Sequence, residues 1–219
     1  MVEIVLNRGT IMKKLLLLLF LTPCVYAGSF DIGGKVEDKA NQFTASLDNS
    51  WEVGKFERDV EFNYRYKDAN DIRTKNSGLI AFKRRLTFQP KQYVFSLTRY
   101  DYNEFRDIKY RTQVGLGYGY KILRTEKIKM SNEFSIGFMK NNVGNEVYAR
   151  NSVLFFYKVA DKVNFTNKFL YEASDVPLLR NETALNFMLT DKLKLGISNI
   201  YTEDPHDDNV LSFNVGVLF

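Results

Sequence analysis

The chain has 219 residues, 45% of them hydrophobic and 15% aromatic, with a formal net charge of +5, one histidine and one cysteine. That length suits one domain, and a small basic excess without any basic run argues against a nucleic-acid partner. A single cysteine excludes a disulfide scaffold and a cysteine-built metal site, and no run of about 18 apolar residues follows the leader, which excludes a helical membrane span there.

The leader comes first in chain order. Lys13 and Lys14 precede an apolar stretch from Leu15 to Leu21, and Val25-Tyr26-Ala27 places short residues around a cut between Ala27 and Gly28. This reads as a signal peptide over 12–27, with the exported chain starting at Gly28. Residues 1–11 carry Glu3, which is foreign to a signal n-region, so they read as an upstream extension with Met12 as the true start. Cys24 in "LTPC" suits lipoprotein processing poorly because Pro23 precedes it.

From residue 28 onward the pattern has period two. In "FERDVEFNYRYK", Phe56, Val60, Phe62, Tyr64 and Tyr66 share one parity, and charged or polar residues hold the other. The same alternation recurs in "EKIKMSNEFSIGFMK", "VYARNSVLFFYKV", "KVNFTNKFLYEAS" and "NVLSFNVGVLF". Period two is the signature of strands, and no stretch shows a 3.6-residue stripe. The runs predict about twelve strands, near 29–37, 41–52, 55–67, 73–88, 91–102, 107–122, 126–140, 146–159, 162–173, 179–189, 192–202 and 209–219. Strands of soluble proteins average about five or six residues, whereas a tilted membrane strand needs about nine to eleven. The expectation is an all-β fold: a closed antiparallel transmembrane β-barrel of ten to twelve strands, with both termini periplasmic because the count is even. Connections such as "EVGK", "QPK" and "TDK" look tight, and "KDANDIR", "DYNEFRD" and "EDPHDDN" look longer, as short periplasmic turns and external loops would.

Three glycines in "VGLGYGY" invite comparison with a phosphate-cradling loop. Gly115, Gly117 and Gly119 instead sit on the charged parity of a strand with no helix following. On a barrel wall they face inward, where small side chains leave room.

The inward parity also carries the charges. Asp48, Glu57, Asp59 and Glu61 form an acidic wall, and Arg73, Lys75, Lys83, Arg85, Lys109 and Arg111 form a basic one. Two readings follow: an ion-paired filling, since buried charges must pair, or a water-filled lumen with a transverse field that selects small polar or anionic solutes. Barrels of about eight strands hold only side chains and those of about sixteen enclose a channel, so size leaves both open. On the outward parity, Arg58 and Arg84 are expected near the periplasmic end, with Trp51, Phe56, Phe88 and Tyr93 as an aromatic girdle.

"VGLGYGYKILRTEKIKM", "RNETALNFMLTDKLKLGISNIY" and "VLSFNVGVLF" resemble the salt-induced outer membrane protein (YdiY-like) family, whose members have no assigned activity. The resemblance implies an outer-membrane location and a barrel fold, with no catalytic residues to transfer. Phe213, Val215, Val217 and Phe219 also look like a last-strand signal for the outer-membrane assembly machinery.

The functional expectation is a monomeric barrel in outer-membrane lipid, without cofactor or metal. It would act as a narrow passive channel for small polar or anionic solutes, or as a structural, envelope-stress barrel. The enzyme alternative, a lipid hydrolase or protease, would use His206 in the predicted loop "EDPHDDN"; Asp204, Asp207 and Asp208 beside it lack the spacing of a calcium loop.

Overall fold

A computed structural model describes residues 28–37, 40–69, 72–104, 108–204 and 206–218; at several strand ends it describes the backbone alone. The predicted leader, and with it Ala27, lies outside the described residues. Twelve antiparallel strands close into one barrel: β1 (Gly28–Glu37), β2 (Ala40–Val53), β3 (Phe56–Ala69), β4 (Ile72–Gln89), β5 (Gln92–Asn103), β6 (Tyr110–Arg124), β7 (Ile128–Asn141), β8 (Asn145–Ala160), β9 (Val163–Ala173), β10 (Leu178–Met188), β11 (Leu193–Asp204) and β12 (His206–Leu218). Each strand pairs with its sequence neighbours, and β12 returns to β1. Closure leaves no unpaired edge, which a lipid-facing sheet requires.

The alternation sets the two surfaces. Val114, Leu116 and Tyr118 on β6 point outward and are exposed, as do Phe134, Ile136 and Phe138 on β7 and Leu211, Phe213, Val215 and Val217 on β12. Among the intervening residues Arg111, Gln113, Glu133, Ser135 and Ser212 are buried inside. A soluble protein does the reverse, so this is the wall of an outer-membrane barrel. Several polar groups on the outer wall satisfy one another, as hydrocarbon demands. Asn132 and Asn151 exchange amide hydrogen bonds at 3.3 Å, and Asn167 donates to Asn181 and Thr183 at 2.9 and 2.8 Å.

The start of β1 and the end of β12 lie at one end, together with the tight turns after β2, β4, β6, β8 and β10. Gly54 turns the chain from β2 to β3 at φ +63°, a left-handed conformation that a Cβ disfavours. Arg84 lies opposite Arg58 and sits 5.4 Å from the ring of Phe56, the first residue of β3, so both arginines are near this terminal end as the sequence predicts. Trp51 pairs with Arg58, and Phe56 and Phe88 are exposed nearby.

Three expectations need correction. Apart from the six residues between β5 and β6, the connections at the far end are not long loops. Strands extend into them, so that Pro205 alone separates β11 from β12 and His206 opens a strand opposite Asp204. Polar alternation beyond the membrane reads like loop composition, yet it still supports strand pairing. Lys109 likewise precedes β6 on the rim and is off the wall. Finally, Tyr93 does not join the girdle; it is 3% exposed inside the barrel. β5 is apolar on both parities, and the face carrying Arg99 and Asp101 turns inward because those charges cannot face lipid.

The inward glycines explain how Tyr93 fits. Tyr93 lies opposite Gly119 and Phe95 opposite Gly117. A Cβ at 119 would strike the Tyr93 ring, one at 117 the Phe95 ring, and one at 115 the Tyr148 hydroxyl. The room that the glycines leave is therefore occupied by aromatic rings. With Leu79, Ala81 and Leu97 these rings form an apolar lining along β4 and β5.

Among the described residues, the seam between β12 and β1 has five paired positions, fewer than any other strand pair. Lys194 on β11 reaches across β12 to Asp31 on β1 at 2.9 Å, passing over Gly216, which pairs with both positions. A Cβ at 216 would collide with both side chains. Gly216→Val should therefore destabilise the barrel by about 1–3 kcal/mol. Heat-modifiable migration on SDS gels measures this, and an unchanged midpoint would remove the seam from the account.

Candidate functional site

The site is the barrel interior. Near the terminal end, Arg85 on β4 contacts Glu57 at 3.0 Å and Asp59 at 2.6 Å on β3, and its Nε reaches Glu133 on β7 at 3.3 Å. Lys83 meets the other oxygen of Glu133 at 2.5 Å, and the Tyr93 hydroxyl donates to Glu133 at 2.9 Å. Part of the acidic wall is thus paired sideways with part of the basic wall.

Lys83, Arg85, Asp59 and Glu133 of this cluster border a cavity of about 530 Å³. Six basic residues, Lys83, Arg85, Arg99, Arg150, Lys168 and Lys194, line it against four acids, Asp48, Asp59, Glu61 and Glu133. A second cavity of about 90 Å³ lies toward the far end, where Arg65, Arg99, Arg111 and Arg180 face a single acid, Asp101. Between them lies a third, small space of about 10 Å³, enclosed by Glu61, Leu79, Arg99, Lys168, Leu170, Arg180 and Glu182. That is about the room of one water molecule.

The constriction is built from ion pairs. Arg99 grips Asp101 with two donors at 2.6 and 2.8 Å, and Arg180 contacts Glu182 at 2.5 Å. Glu61 is on β3 and Lys168 on β9, six strands apart in a ring of twelve, so their 3.4 Å contact spans the lumen from wall to wall. Asn63 donates to Glu61 at 2.8 Å and holds one end of this bar. Gln113 on β6 donates to Glu172 on β9 at 2.6 Å, a second crossing.

Of the residues singled out in the sequence, Lys83, Arg85, Arg111, Asp48, Glu57, Asp59 and Glu61 face the interior. The side chains of Arg73, Lys75, His206, Asp204, Asp207 and Asp208 lie outside the described residues, as does Phe219. Sequence reasoning misses Arg99, Arg150, Lys168, Arg180 and Glu182. On β9 the signal is present, since Lys168 precedes outward Phe169, but on β8 and β10 it is weak, because Ala149 and Asn151 flank Arg150 and Asn181 and Thr183 flank Glu182. On β5 it is masked by apolar residues on both faces. Among the described residues, no group of three or more His, Cys, Asp or Glu is placed to hold a metal ion.

Solved structures with this architecture are outer-membrane barrels. The NanC porin matches with a TM-score of 0.57 and 12% identity, covering 88% of this chain and 98% of that one. The COG4313 outer membrane channel from Pseudomonas putida F1 matches at 0.53 and 10%, covering 88% and 93%. The KdgM porin matches at 0.50 and 10%, covering 87% and 98%. At these identities the likeness shows the fold alone. Comparison with curated proteins gives no match. The model of the family described as "Protein of unknown function, DUF481" matches residues 37–219, nearly the whole barrel, and the chain belongs to that family.

Proposed function

We propose that the barrel is a narrow passive channel for small polar solutes, with a preference for anions. The carrying observation is the sign of the lining: six bases to four acids in the larger cavity and four to one in the smaller. A low-dielectric wall focuses that excess on the permeating solute. Lys83, Arg85 and Arg111 belong to the basic lining; Glu57, Asp59 and Glu61 restrain it. One chain encloses the whole lumen, so a monomer suffices. The termini would be periplasmic, and the outward strip of Phe213, Val215 and Val217 would guide assembly into the membrane. Among the similar structures, the KdgM porin is also solved in complex with disordered oligogalacturonate, which agrees with an anionic solute.

The test is the reversal potential of the purified chain in a planar bilayer under a salt gradient. Anion preference is expected, and Arg111→Gln should reduce it. Cation preference would overturn the reading. The contacts that cross the lumen, Glu61 with Lys168 and Gln113 with Glu172, favour a second reading, a structural barrel; a folded protein without conductance would select it. The hydrolase alternative rests on a side chain outside the described residues and has no further support.

A further inference from the structure

Two charges on the outer wall have no counterpart. Arg58 on β3 and Arg84 on β4 stand directly opposite each other in register, and like charges in that position repel. Neither side chain makes an ion pair or a hydrogen bond among the described residues, and the Nε of Arg58 is buried without a partner. The asparagines farther round the wall satisfy one another; these two arginines do not. Trp51 and Ser96 flank the pair in register, so neither neighbour in the row is a carboxylate.

The surroundings suit a lipid headgroup. Phe56 and Leu86 form the next pair toward the terminal end, and the Arg84 guanidinium leans that way, 5.4 Å from the Phe56 ring. An arginine that buries its stem and carries its head toward the membrane surface behaves in this manner. On the membrane side of the pair, Val60 lies opposite Phe82, whose ring is exposed. Lys55 and Lys91, in the turns on either side, are exposed as well. A guanidinium fork matches two phosphate oxygens, and the apolar row beyond it matches an acyl chain. Dissolved phosphate would gain the charge but not the apolar contact.

We infer that Arg58 and Arg84 clamp the phosphate of an anionic phospholipid, of the phosphatidylglycerol type, in the leaflet at the terminal end, with an acyl chain along Phe82. A negative group between the arginines turns one repulsion into two attractions. Net charge selects the headgroup: choline or ethanolamine would bring a cation toward Lys55 and Lys91, whereas glycerol brings none. The site depends on the outer-membrane location and not on conduction.

Trp51 is the one tryptophan of the chain and pairs with Arg58, so its fluorescence reports on the site. The purified chain is refolded into mixed vesicles in which either phosphatidylglycerol or phosphatidylcholine carries brominated acyl chains, and the quenching of Trp51 is compared. Brominated phosphatidylglycerol should quench as though enriched about tenfold beside Trp51. Arg58→Gln together with Arg84→Gln should remove the preference. Lys162→Gln together with Lys192→Gln, in turns on the opposite side of the ring, takes away the same charge and should keep it. Heat-modifiable migration verifies that each variant is folded. Equal quenching by the two lipids in the wild type overturns the site. So does a preference that survives in the arginine variant or disappears in the lysine one, because the attraction would then belong to the basic rim as a whole. Loss of the preference when sodium phosphate replaces chloride at equal ionic strength also overturns it, since dissolved phosphate would then fill the clamp.

Discussion

Replacing Glu61 and Lys168 together by alanine should raise single-channel conductance by up to about fivefold. The pair spans the lumen at 3.4 Å, with side chains 24% and 33% exposed. Partly hydrated ion pairs are worth up to about 1 kcal/mol, and that energy corresponds to about fivefold in the population with the bar open. Removing both partners matters, since one alone would strand a charge in the wall. The single variants should move selectivity in opposite directions. Glu61→Ala leaves an extra positive charge at the constriction and should strengthen anion preference; Lys168→Ala should weaken it. Salt gives a second check. The screening length falls from about 10 Å at 0.1 M to about 3 Å at 1 M. Wild-type conductance should therefore rise faster than the conductivity of the bath, and that excess should vanish in the double variant. Identical conductance of wild type and double variant at both salts would place the bar off the conducting route.

Gly117→Val should prevent the barrel from folding, at a cost above about 3 kcal/mol. A Cβ at this position would meet the Phe95 ring and, at 2.6 Å, the carbonyl oxygen of Phe134 on β7. That carbonyl belongs to the strand backbone and cannot swing aside. Gly119 differs: the atoms nearest a methyl group added there all belong to the Tyr93 side chain. Gly119→Ala should be destabilised and then rescued by Tyr93→Ala, whereas Phe95→Ala should not fully rescue Gly117→Val. Gly144→Ala, with nothing within 4 Å of the added carbon, should behave as wild type. Urea titration of heat-modifiable migration measures the series. Free acceptance of valine at 117 would show that the glycines are not slots for the aromatic rings.

These glycines mark where sequence reading stops. Their inward parity is legible, because Val114, Leu116 and Tyr118 alternate with them and need lipid. Their purpose is not, since the rings that fill the slots come from β5, and only strand pairing brings Gly117 opposite Phe95. Tyr93 escapes the sequence for the same reason: a strand with apolar residues on both parities has no intrinsic inside. Arg99 and the glycines of β6 settle it through contacts that period two does not encode.

The architecture follows from local pattern alone. Long alternating runs require a sheet with one apolar face, and length beyond a soluble strand requires a membrane, so twelve strands closed into a barrel followed. All the observed strand boundaries fall within about three residues of expectation, because alternation is a local property. The lumen is set by closure of the ring. Closing the ring sets β3 against β9, which turns two ordinary charges, Glu61 and Lys168, into a bar across the channel. It also gathers Arg65, Arg99, Arg111 and Arg180 from four separate strands into one cavity. The physical reason is distance in the chain. Alternation is fixed by neighbours two residues apart, whereas pairing across a lumen depends on the circumference, which no single strand records.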